Sequence, residues 1–234
     1  LKDVNKVASV AVVTTADPVL IAQGLRWAWP GQPALFHALS FQIPAGVGWI
    51  QGDEQTGKTT LLRLLSGQWS GINSPFKDQC QGTITVVGQH IMAMAYPSPF
   101  VFWADPDDPS GSGNLQISAR ACLAQWQQQF PTYDPHIQAE LLEGLDLIPH
   151  LDKALFMLST GSRRKLGWVG AFAAGAPIAL IDQPFAALDR ASISCVMEWL
   201  EDAAAHPQRA WVIADYEAPP GLHLSWRLEL PSQS

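Results

Sequence analysis

Apolar and polar residues alternate with a period of two along several stretches of the chain. Leu39, Phe41 and Ile43 alternate with polar neighbours, and Leu222, Leu224, Trp226, Leu228 and Leu230 do so near the C-terminal end. That period predicts strands with one buried face. Residues 19–46 read as antiparallel strands, turned by Pro44-Ala45-Gly46 into the short buried strand Val47 to Gln51. Gly82 to Gly88, Pro177 to Asp182 and Ala210 to Ala214 complete the predicted strands. Helical spacing occupies the rest. Leu115, Ala119, Cys122, Leu123 and Trp126 predict one helix, and His136 to Leu145 a second with Ile137, Leu141 and Leu142 inward. Arg190 to Ala205 predicts a third, with Ile193, Val196, Met197 and Leu200 on its apolar face.

The order of these elements predicts an α/β fold. A mostly parallel sheet flanked by helices follows an N-terminal antiparallel β region, and ligand belongs at the carboxyl ends of the strands. Pro106 to Gly113 is rich in Pro, Asp, Gly and Ser and reads as a loop. It opens a helical insertion at about 106–157, which divides the core into about 19–105 and 158–230 of one domain spanning 1–234.

Composition narrows the picture. A chain of 234 residues can bury a large core. Gly167 to Ile181 is the longest uncharged run of interest; it is too short to span a membrane and contains Pro177, so it reads as a buried helix followed by a core strand. The net charge of −7, with no basic run longer than Arg163-Arg164-Lys165, argues against nucleic-acid binding. Cys80, Cys122 and Cys195 are odd in number and widely spaced, which suits reduced core thiols. The six histidines show no metal-ligand spacing. Lys2 and Lys6 before the apolar stretch Val7 to Val13 faintly resemble a secretory leader, but the stretch is marginal in length and that reading is rejected.

The chemistry lies in one loop. Gly52-Asp53-Glu54-Gln55-Thr56-Gly57-Lys58-Thr59 fits the pattern G-x-x-x-x-G-K-[ST], between the strand ending at Gln51 and a helix opening at Thr60. Glycines let the backbone curl until several N–H groups face one anion. Lys58 reaches the outer phosphates, and the Thr59 hydroxyl can hold Mg²⁺. A chance match in a chain this long is on the order of 1%. The loop, with Thr60 at the helix start, therefore predicts nucleoside triphosphate binding.

Downstream segments narrow the class. Leu158-Ser159-Thr160-Gly161-Ser162 follows the helical insertion, then come Ile178 to Asp182, Gln183-Pro184 and Ala186-Ala187-Leu188-Asp189. In this order the chain resembles the ATP-binding cassette (ABC) family, the nucleotide-binding subunits of ABC transporters, from about residue 19 to residue 230. The resemblance implies a P-loop NTPase (RecA-like) core. It makes Leu158, Ser159, Thr160, Gly161 and Ser162 the signature that binds ATP held by a partner cassette, and Asp182 the magnesium-side aspartate. Asp189 then lies at the dimer interface and Trp29 stacks on adenine. Asp105 is the candidate for a further Mg²⁺ contact in the loop near Phe102 to Pro106.

The catalytic positions depart from the family. Gln183 stands where a carboxylate polarises the attacking water, and an amide cannot accept a proton. Asp215 stands where a histidine contacts the γ-phosphate, so its charge opposes the phosphate. Gln55 stands where the family has glycine. The implied protein is thus a cytoplasmic subunit, peripheral on the membrane's cytoplasmic face. It binds ATP and Mg²⁺ and pairs with a second cassette, in a homodimer or a heterodimer. It moves a separate integral membrane subunit and hydrolyses ATP weakly or only with a partner's help. The alternative is a non-hydrolysing regulatory subunit that acts by dimerisation.

Overall fold

The parallel sheet carries one α-helix and an antiparallel sheet on one face and the other α-helices on the opposite face. The computed structural model describes residues 10–11, 17–105, 107–111 and 113–232. The leader-like stretch lies outside these residues except for its two positions at 10–11. The strands are β1 (Val10–Ala11), β2 (Leu20–Ala28), β3 (Ala34–Ile43), β4 (Gly46–Gln51), β5 (Cys80–Val86), β6 (Gln89–His90), β7 (Val101–Trp103), β8 (Ile178–Asp182), β9 (Ala210–Asp215) and β10 (Trp226–Glu229). The helices are α1 (Lys58–Leu65), α2 (Ala119–Gln129), α3 (Pro135–Gly144), α4 (Thr160–Ala173) and α5 (Arg190–Ala204). A six-stranded sheet runs β1-β10-β4-β9-β8-β7, parallel from β10 to β7 with β1 antiparallel at its edge, and a four-stranded antiparallel sheet runs β3-β2-β5-β6.

Strand alternation splits the parallel sheet between two cores. Val47, Trp49, Phe102, Ala179, Ile181, Trp211 and Ile213 face α2, α3, α4 and α5. Ile50, Val101, Trp103, Ile178, Leu180, Val212 and Leu228 face α1 and the antiparallel sheet. The helices over 119–144 share the first core with α4, α5 and the sheet, so no apolar boundary separates the expected insertion from the rest.

Several expected limits shift for local reasons. Leu115 lies outside α2, which starts at Ala119 because the Ser118 hydroxyl accepts the N–H of Ala121 at 3.1 Å and caps it. Leu222 and Leu224 lie outside the last strand: they pack with the helix-side core, whereas Trp226, Leu228 and Leu230 pack with the other. The alternation there is real as burial but only its second half pairs as a strand. Phe102 and Trp103 form β7 rather than a loop.

Arg209 fastens the far end of α4. Its guanidinium donates to the carbonyls of Phe172, Ala171 and Ala176, the last at 2.9 Å, and lies 4.5 Å from the Trp211 ring centroid. Burial pulls its pKa down to about 10, which still leaves it charged at neutral pH. A cation at a helix C-terminus satisfies carbonyls that have no partner within the helix. Arg209→Ala is expected to cost about 2–4 kcal/mol, because it strips buried acceptors of a charged donor. Urea unfolding of the variant against the parent measures this.

Candidate functional site

The phosphate loop sits where β4 gives way to α1. Gly57 has φ 97°, and a Cβ there would come within 2.9 Å of Leu35 Cδ2, so only glycine fits. Gln55 also adopts positive φ, 63°. That conformation gives the physical reason for glycine at this position in the resembled family: a side chain is strained there but tolerable. Thr56 is buried, and its hydroxyl donates to the Asp53 carbonyl at 3.0 Å, closing the curl from inside.

Helix capping marks the loop out. Ser118, Asp134, Ser159 and Asp189 cap α2, α3, α4 and α5 with side-chain acceptors. Gly57 gives α1 no such acceptor, and its first turn holds no acidic residue. The first N–H groups of α1 are left for an outside anion, which the helix dipole also favours.

Asp182 and Thr59, expected on the cation side, meet directly. The Thr59 hydroxyl donates to Asp182 Oδ2 at 2.5 Å. Asp182 Oδ1 is buried and has no hydrogen-bond partner. Burial pushes the Asp182 carboxyl up, the Thr59 bond and Lys58 pull it down, and the charge of Asp215 raises it further. A buried, unmatched carboxylate oxygen next to a hydroxyl is what a hard divalent ion needs, so this pair fits Mg²⁺. Among the described residues no set of three or more His, Cys, Asp or Glu side chains is grouped for a metal, so phosphate oxygens and water would have to supply the other ligands. Asp105 is otherwise engaged. It is buried, it takes Arg63 at 3.3 Å, and it accepts from Gln68 and the N–H of Asp107. Asp105 does line the same cleft as Asp182.

Gln183 and Asp215 are held differently. Gln183 has φ 48°, and its Oε1 accepts from Arg164 Nη2 at 3.0 Å. Asp215 lies at the end of β9, beside Gln51 of β4, and accepts the N–H of Tyr216 at 2.8 Å.

Leu158 to Ser162, expected to be the signature, are built into another corner. Ser159 caps α4 by accepting the N–H of Ser162 at 3.0 Å, so the capping role that serine has at many helix starts holds here. Ser159 and Thr160 are exposed, whereas Leu158 is buried. A Cβ on Gly161 would meet the Ala187 carbonyl at 2.3 Å, so glycine is needed for this chain's own packing. Lys165 donates to Asp189 at 2.8 Å, and Asp189 also caps α5, which holds its carboxyl well below the usual carboxylate range. With Arg164 on Gln183 and Trp168 Nε1 on the Pro184 carbonyl at 3.0 Å, the loop 183–189 is pinned along α4. No hydrogen bond or ion pair among the described residues joins 158–162 to 52–60. Asp189, expected at a dimer interface, has these partners within its own chain.

Trp29 is half-buried and meets Trp27, Trp69 and Phe76 edge-on at centroid distances of 5.7, 5.1 and 5.9 Å. It belongs to an aromatic cluster, and its expected place against adenine has to be shared with that packing. Three side chains at the site escaped the sequence reading. Tyr216 lies across the phosphate loop, Arg164 grips Gln183, and Arg63 neutralises Asp105. For one of them, Arg164, the run Arg163-Arg164-Lys165 is the available signal.

A glycine-curled loop before an uncapped helix, with a threonine–aspartate pair at the neighbouring strand end, defines a P-loop nucleotide-binding domain. Comparison with known proteins narrows this. The chain is 31% identical over 183 residues to a cytochrome c biogenesis ATP-binding export protein of Alkalilimnicola ehrlichii, covering 76% of this chain and 72% of that protein. It is 28% identical over 190 residues to the protein of the same description from Idiomarina loihiensis, covering 80% and 81%. A solved ATP-binding subunit of an ABC transporter superposes with a TM-score of 0.71 at 16% identity, over 91% of this chain and 85% of that one. No protein-family profile matches. The chain belongs to the ATP-binding cassette family, as the nucleotide-binding subunit of an ABC transporter.

Proposed function

We propose that this subunit couples ATP binding at a cassette dimer interface to the movement of separate membrane subunits, and that its own hydrolysis is slow or depends on a partner. Asp182 carries the reading: its unmatched buried oxygen beside Thr59 favours a Mg²⁺-nucleotide over a bare anion. In that role Lys58 and the N–H groups of the loop bind phosphate, and Thr59 with Asp182 holds the ion. When bound, Mg²⁺ would screen the phosphate charge. No helix among the described residues is long and apolar enough to cross a membrane, which fits a separate membrane partner. The names of the relatives favour export over import. The exposed Ser159 and Thr160 at the start of α4 favour a second cassette facing this one, since a capped helix start can still offer further N–H groups to a phosphate.

Slow hydrolysis rests on Gln183 and Asp215. Arg164 takes one of the two acceptor sites on the Gln183 amide oxygen, the one side-chain acceptor atom the residue could offer to water. The regulatory alternative draws on the same contact.

Ser159→Asp tests the pairing. Aspartate keeps a cap acceptor for α4 but sets a carboxylate where a partner's phosphate would lie. ATPase activity of the assembled transporter is expected to fall at least tenfold, about 1.4 kcal/mol or more. The melting temperature of the isolated chain and its ATP affinity should stay unchanged. Full activity in the assembled transporter would remove the partner role of Ser159.

A further inference from the structure

Tyr216 is one of the side chains at this site that neither the motif nor the family resemblance assigns. It follows Asp215 at the end of β9, and the Asp215 carboxylate fixes its backbone N–H. Its hydroxyl donates to Glu54 Oε1 at 2.7 Å, bridging to the middle of the phosphate loop. That bond pushes the phenol pKa up. Lys58 Nζ lies 4.9 Å from the centroid of its ring. The ammonium also donates to the carbonyls of Gly52 and Asp53, at 2.5 and 2.6 Å. An ammonium has three protons, so two carbonyls and one ring face engage the whole of it. From the other side, Ser232 donates to Asp53 Oδ2 at 2.7 Å.

We infer that Tyr216 and Glu54 form a clasp across the phosphate loop, which the outer phosphates of the nucleotide must open before they reach Lys58. The inference rests on the nucleotide-site reading above and adds a gate to it. A phosphate taking Lys58 has to enter where the Tyr216 ring lies or draw the ammonium off its two carbonyls. It also meets the Glu54 carboxylate, which the phenol holds beside the loop. The closed clasp lowers apparent affinity by the fraction of molecules in which it is shut. Tyr216 is 47% exposed, so the clasp gains little from burial and can open at modest cost. It also joins the end of β9 to the loop, so a nucleotide that opens it moves the segment after Asp215.

Titration of the intact chain with a fluorescent ATP analogue in Mg²⁺ tests this. Tyr216→Phe keeps a ring near Lys58 but removes the bond to Glu54, and it should tighten binding roughly three- to tenfold, the factor of one ordinary solvent-accessible hydrogen bond. Glu54→Ala should tighten it at least as much. Adding Tyr216→Phe to Glu54→Ala should bring no further gain, since both remove one contact. An unchanged or weaker affinity in Tyr216→Phe, with Lys58→Ala still losing binding, overturns the clasp and leaves the nucleotide site standing. Binding that appears only in Tyr216→Phe supports the clasp in its strongest form. Absence of binding in parent and variants alike overturns the clasp together with the reading beneath it.

Discussion

Replacing Lys58 by alanine is expected to weaken Mg-ATP binding tenfold or more. The ammonium is the cation expected to reach the outer phosphates, and a charge-assisted contact of this kind contributes about 1.5–3 kcal/mol. No neighbour can take its place. Arg63, in the same helix, is committed to Asp105 and Asp107. The acidic side chains nearby, Asp53 and Glu54, would repel phosphate once the lysine is gone. Lys58 also bonds to the carbonyls of Gly52 and Asp53, so the variant loses a stitch within the loop as well as a ligand. Thermal melting separates the two effects: a small change in melting temperature with a large loss of affinity identifies lost binding. Equal affinity in parent and variant would mean that the loop does not bind phosphate in the way its pattern predicts.

The largest gain is expected from rebuilding the hydrolytic positions. In an assembled dimer, Gln183→Glu combined with Asp215→His should raise phosphate release about 10²-fold or more, within the range that a general base contributes. The single change Gln183→Glu should give much less. Arg164 already donates to Oε1 of residue 183, so a carboxylate there would share one oxygen with it and keep the other for water. Asp215 is the obstacle that remains, since its charge reaches Asp182 and opposes an incoming phosphate. Asp215→His removes that opposition, though it also removes the acceptor that fixes the Tyr216 N–H. Measuring phosphate release and nucleotide affinity separately therefore matters. A parent that already turns over as fast as the double variant would show that another residue serves as base. ATP binding with no hydrolysis in the assembled double variant would move the regulatory role ahead.

Much of the site was legible because its parts are local. The curl of residues 52–59 depends on glycines and on backbone N–H groups within eight positions, so the pattern of residue types is nearly the geometry itself. The burial of the strand to Asp182 and the apolar face of α5 were legible for the same reason: a strand or helix writes its period into adjacent residues. The Ser159 cap on α4 is local in the same way, since its acceptor and the N–H of Ser162 lie three residues apart.

Sequence alone, then, determined the pattern of the glycine-rich loop, the order of strands and helices around it, and the residue types at positions 183 and 215. Tertiary structure decided what those side chains touch. Thr59 meets Asp182 across 123 residues of sequence, and Tyr216 meets Glu54 across 162. Such pairs follow from which strands neighbour each other and in what register, with β9 lying between β4 and β8. The period of apolar residues fixes which face of a strand is buried, but not which strand lies beside it. Trp29 shows the same limit from the other direction. Its type and position suited an adenine contact, but the fold also set Trp69 and Phe76, far along the chain, against its ring.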